Sequence, residues 1–125
     1  MSSLYHAELL EHYKASPYRK TIATPTLKHG ELNPSCGDKL EIMLLIENSH
    51  ITDLAFQGSG CVISQAAMSM ICENIAGKTV EAILSLNPDW VLELINIELG
   101  PVRMKCAMLG LQVIQHGLEA WKQAG

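Results

Sequence analysis

Two runs of β-type residues, "KLEIMLLIE" (39–47) and "HITDLAFQ" (50–57), stand back to back with only Asn48 and Ser49 between them. So short a connection fits an antiparallel hairpin. A weaker extended stretch, Thr26 to Leu32, follows a Thr- and Pro-containing loop and supplies a third strand. The rest of the chain follows helical spacing. Leu4, Tyr5, Leu9, Leu10 and Tyr13 trace one face of a first helix that ends near Pro17. "CVISQAAMSMICENIAG" starts a second helix at or just after Cys61, with Ile63, Ala67, Met70, Ile71 and Asn74 in phase and Gly77 closing it. A short helix covers Val80 to Leu86, and Asn87 as N-cap with Pro88 behind it starts another. Leu99, Gly100 and Pro101 break the chain, after which Arg103 to the end forms one closing helix, weakened by Gly110 and Gly117. The expectation is an α+β fold in which a three-stranded antiparallel sheet packs against about five helices, the last of them long.

A chain of 125 residues suits a single domain spanning 1–125, and 48% apolar against 18% charged residues is a globular balance. The net charge of −4, with nine scattered Lys and Arg, lacks the basic footprint of nucleic-acid binding. No apolar run approaches the ~18 residues of a membrane span, and "MSSLYHAELLEHYK" has neither the basic nor the apolar region of a signal peptide. A cytoplasmic protein with no membrane partner is therefore expected, and its four cysteines are expected as free thiols rather than disulfides.

Three of those cysteines mark breaks in the chain. Cys36 follows Asn33-Pro34, Cys61 follows Gly58-Ser59-Gly60, and Cys106 comes shortly after Gly100-Pro101. Loops and helix starts display ligands and nucleophiles, and a helix N-terminus favours a thiolate; Cys61 and Cys106 are candidates for that effect. Cys72 lies mid-helix, eleven residues or ~16 Å beyond Cys61, too far to share a metal with it, and is assigned to the core. Asp38 alone reads as a turn residue. If Cys36, Cys61 and Cys106 converge, it can instead complete a four-coordinate site of three soft thiolates and one harder oxygen, suited to zinc or iron. The absence of any C-x₂-C pair argues for a pocket rather than a structural zinc staple. His6, His12, His29, His50 and His116 could serve as bases for a cysteine nucleophile, but none sits in a local signature, and they read as structural residues.

In order along the chain, "LYHAELLEHYK", "NPSCGD", "FQGSGCVISQAAMSM" with "GKTVEAI", and "PVRMKCAML" resemble the IscU/SufU family, seen also as the N-terminal domain of NifU proteins. The resemblance implies a scaffold or carrier rather than an enzyme. Such a scaffold accepts persulfide sulfur from a cysteine desulfurase, holds a transient [2Fe–2S] cluster, and passes it to apo iron–sulfur recipients. Residue by residue, it implies Cys36, Asp38, Cys61 and Cys106 as ligands of iron, the cluster or zinc, and Cys36 and Cys106 as candidate persulfide acceptors. Its alternative branch is a SufU-like zinc-dependent sulfurtransferase. IscU members carry histidine just before the third cysteine, within a segment read by a chaperone; here Lys105 stands there, as in SufU. A chaperone or a frataxin-like protein is thus an expected partner only as far as the resemblance carries. The step from Cys61 to Cys106 is too short for the insertion typical of SufU, so the chain mixes traits of both branches.

Overall fold

Asn48 and Ser49 close the hairpin with φ of 52° and 64°, the paired positive values of a type I′ turn, whose twist matches that of the strands it joins. The structure, a computed structural model, describes residues 3–34 and 37–124. Strand β1 (Leu27–Asn33) pairs antiparallel with β2 (Asp38–Glu47), which pairs antiparallel with β3 (His50–Ser59), so β2 is central. The β2–β3 register slips between Leu45 and Ile46, where Leu45 faces Asp53 and Ile46 faces Ile51. Thr52 is the extra residue of that bulge, and its hydroxyl donates to the Leu45 carbonyl at 3.3 Å.

The helices are α1 (Ser3–Lys14), α2 (Val62–Ile75), α3 (Val80–Leu84), α4 (Pro88–Ile95) and α5 (Pro101–Ala124). Sheet, helix number and the long last helix agree with the expected α+β architecture. Caps account for the starts of α3 and α4: Thr79 accepts from the Ala82 N–H and Asn87 from the Trp90 N–H, both at 3.1 Å. Helix α5 begins two residues before the expected Arg103. Proline fits the first helical position, where no N–H is needed, so Pro101 starts the helix rather than holding it off.

Alternation along β2 sends Leu40, Ile42 and Leu44, all fully buried, to the face covered by helices. Helices α2 and α5 bury Ala67, Met68, Ile71, Val113 and Ile114 in the same core. They pass very close at Gly110, where a Cβ would lie 3.3 Å from the Met68 Cα. That residue thus weakens α5 in propensity while permitting its contact with α2. Helix α1 is tied to α2 through buried Ser69, whose hydroxyl is 2.9 Å from His12 Nδ1 and 2.6 Å from the Ser16 hydroxyl. Leu9 faces the core as expected, but Leu10 is 45% exposed and Asn74 is exposed too, bonding back to the Met70 carbonyl. The side chains of Leu4, Tyr5 and His6 lie outside the described residues.

Candidate metal centre

Asp38 opens β2 in phase with Leu40, Ile42 and Leu44, so strand alternation aims a carboxylate inward, at 1% exposure. A buried carboxylate needs donors. One comes from the start of α2, where the Cys61 N–H donates to Asp38 Oδ1 at 2.8 Å. Cys61 is the N-cap residue of α2, with extended backbone and no capping bond from its side chain. Its thiol points at the carboxylate instead, with Sγ 3.3 Å from Asp38 Oδ2.

The turn into α2 is built around this contact. Gly60 has φ of 121°, and a Cβ there would strike the Asp38 carboxylate. Behind it, Gln65 donates from Nε2 to the Gly60 carbonyl at 3.1 Å, and the Gln65 Oε1 accepts from Arg19 Nη2 at 3.2 Å. Arg19 donates also to the Tyr13 carbonyl at 2.8 Å, and its guanidinium carbon lies 5.3 Å from the centre of the Phe56 ring. This chain of contacts fixes the backbone that carries Cys61. Arg19 and Gln65 could not be singled out from the residues alone, although a glutamine inside the apolar run "VISQAAM" was a usable signal.

Cys106 arrives from α5 at 2% exposure. Because α5 starts at Pro101, Cys106 is its sixth residue, beyond the first turn where a helix end acts on charge. Cys106 therefore lies beyond the reach of the helix-start effect expected of it, whereas Cys61, as the N-cap residue, stands at the start of α2. The ligand atoms of Asp38, Cys61 and Cys106, drawn from β2, α2 and α5, all lie within 4.8 Å of one another. Two sulfurs and one oxygen at that separation suit zinc or iron rather than magnesium or calcium.

Cys36, the fourth expected ligand, lies outside the described residues, two positions before Asp38. Cys72 is fully buried in α2, and burial pushes its thiol far up, in keeping with its assignment to the core. Among the described residues no histidine joins the centre: His12 meets Ser69, His50 Nδ1 lies 2.8 Å from the Asn48 carbonyl, and His29 and His116 are elsewhere. Lys105 and Arg103 are exposed on the first turns of α5. Lys105 edges a groove of about 600 Å³ between the end of β1 and the start of α5, with Leu32, Pro34, Met104 and Met108 among its walls.

The order of these residues and their fold agree with a known family. A family model described as the NifU-like N terminal domain matches residues 4–124. The chain belongs to that family. Its relatives include the zinc-dependent sulfurtransferase SufU of Bacillus subtilis, 29% identical over 135 residues, covering 94% of this chain and 91% of the relative. The iron-sulfur cluster assembly scaffold protein IscU of Thermotoga maritima is 29% identical over 132 residues and 93% of both chains. Two solved structures share the fold. A putative scaffold protein for the SUF system from Fervidobacterium islandicum superposes with TM-score 0.75 at 23% identity, covering 94% of this chain and 99% of the other. A NifU-like N-terminal domain from Brucella abortus gives 0.79 at 17%, covering 97% and 96%. The IscU/SufU/NifU resemblance drawn from the motifs therefore holds along nearly the whole chain.

Proposed function

We propose that this NifU-like domain, taken as a single unit over 1–125, is an iron–sulfur cluster assembly scaffold. It accepts sulfur from a cysteine desulfurase, holds a [2Fe–2S] cluster as cargo at Cys36, Asp38, Cys61 and Cys106, and passes it to apo-proteins. The observation that carries this reading is the convergence of Asp38, Cys61 and Cys106 within 4.8 Å from three separate elements. A storage site would be served best by four thiolates. Substituting one carboxylate gives a weaker corner, suited to a cluster that must leave.

Sulfur arrives by exchange. A scaffold thiolate attacks the outer sulfur of the desulfurase persulfide, a new S–S bond forms, and the desulfurase cysteine departs as a thiolate. An external electron donor supplies two electrons to turn each transferred sulfur into bridging sulfide. Cys36 and Cys106 are the candidate acceptors, and the 2% exposure of Cys106 favours Cys36 as the first. The protein acts as a carrier: the desulfurase generates the persulfide, and the scaffold relays its sulfur.

Two exposed apolar side chains line the groove with Lys105, Leu32 at 59% and Met104 at 39% exposure. They support docking of the desulfurase at the groove end, with Lys105 beside Cys106. Among the described residues no helix is long and apolar enough to cross a membrane. The reading keeps the chain in the cytoplasm, where cysteines stay reduced.

A second reading is a zinc-dependent sulfurtransfer partner, favoured by Lys105 before the third cysteine and by a sulfur-and-oxygen donor set that suits zinc. Anaerobic incubation with ferrous iron, cysteine and desulfurase separates the two. The scaffold reading expects a visible chromophore containing iron and sulfide in equal amounts. Zinc retained through turnover with no chromophore would establish the second reading instead.

A further inference from the structure

A second set of metal-binding side chains lies away from the thiol centre, on the seam between β1 and α5. Alternation along β1 turns His29 and Glu31 to the face that carries buried Leu27. Helix α5 crosses that face with Gln112 and His116 one turn apart. The crossing is close, for a Cβ on Gly117 would lie 3.0 Å from the His29 Cβ. Small size at Gly117 thus lets the helix bring His116 to the strand.

The polar groups there meet at one atom. Glu31 Oε2 is 2.7 Å from His29 Nε2 and 2.7 Å from His116 Nδ1. Its other oxygen, Oε1, accepts from Gln112 Nε2 at 2.8 Å, which fixes the carboxylate with Oε2 turned to both rings. The three ligand atoms all lie within 4.8 Å of one another. Side-chain exposures of 54% for His116, 32% for His29 and 21% for Glu31 leave one side open for an ion to enter and for water to bind it.

Two imidazoles and one carboxylate with an open side form the donor set of open zinc and iron(II) sites. Around a tetrahedral ion with bonds of ~2.0–2.1 Å the donors stand ~3.3 Å apart. Each nitrogen would need to draw back from Oε2 by well under ~1 Å, within the freedom of half-exposed side chains. Gln112 then supplies the outer hydrogen bond that orients a ligating carboxylate. The ten residues from Cys106 to His116 span ~15 Å of helix, so the two centres share no ligand.

We propose that His29, Glu31 and His116 form a second metal site for one borderline first-row divalent cation, zinc or ferrous iron, with water completing its coordination. This site is independent of the cluster reading and survives its failure. The test is a titration of reduced, tag-free apo-protein with zinc, followed by calorimetry and by NMR of the histidine ring protons. The expected result is two zinc ions per chain, with the rings of His29 and His116 shifting as one of them binds and those of His12 and His50 unmoved. A His29→Gln/His116→Gln variant keeps amide donors for Glu31 and is expected to bind one zinc only. Rings of His29 and His116 that do not shift as zinc binds, or a folded double variant that binds as many zinc ions as the wild type, overturns the proposal. If that variant does not fold, the ring shifts in the wild-type protein decide: shifts at both His29 and His116 support the site, and their absence overturns it.

Discussion

Asp38 is the residue on which the proposed chemistry turns. Its backbone belongs to a central strand, its carboxylate is buried, and it accepts the N–H of the cysteine beside it. Asp38→Cys would replace the weak oxygen corner by a fourth thiolate. The expected outcome is a cluster that still assembles but moves to an apo-ferredoxin about ten-fold more slowly, as loss of ~1.4 kcal/mol of relative lability would give. The transfer half-time, followed by the acceptor's spectrum, checks this, and an unchanged half-time would show that oxygen ligation does not set release. Asp38 was legible as a candidate because it stands two residues from Cys36. Its inward aim could also be read from "DKLEIML", where Asp38, Leu40 and Ile42 share one parity. What the residues could not show was the distance between Cys61 and Cys106, since that depends on how α2 and α5 pack.

The hairpin and the start of α4 were readable because each rests on local chemistry, a two-residue turn at Asn48 and Ser49 and a side-chain cap at Asn87. The start of α5 was displaced because Pro101 can end one segment or begin the next, and only packing decides. The turn before α2 was read as a helix start, yet its tight fit against Asp38 was hidden. Gly60→Ala places a side chain at φ of 121° and against the Asp38 carboxylate. A destabilisation of about 2 kcal/mol or more is expected, together with poorer cluster assembly, because the Cys61 N–H contact with Asp38 must shift. Urea unfolding measures the first and reconstitution yield the second. A variant as stable as the wild type would mean that the turn tolerates displacement.

At the scale of the whole molecule, an ordinary core holds β2, α2 and α5 in a fixed relation, and the thiol centre lies where their ends meet. Exposed Leu32 and Met104 flank the same end, beside the groove. Leu32→Asp and Met104→Asp should leave the melting temperature unchanged while weakening sulfur transfer from the desulfurase about ten-fold, the effect of losing an apolar contact of ~1–2 kcal/mol. Equal transfer rates would move the docking surface elsewhere. Such a surface was hard to foresee, because an apolar residue in a sequence reads first as core, and only the fold shows which ones remain outside. The central claim is that three cysteines and Asp38 hold the cluster while Cys72 stands apart. Its most direct measurement is the visible absorption of protein reconstituted anaerobically with iron, cysteine and desulfurase, compared across the four Cys→Ala variants. The account predicts loss of the chromophore for Cys36→Ala, Cys61→Ala and Cys106→Ala and its retention for folded Cys72→Ala; an intact chromophore in all three of the first would contradict it.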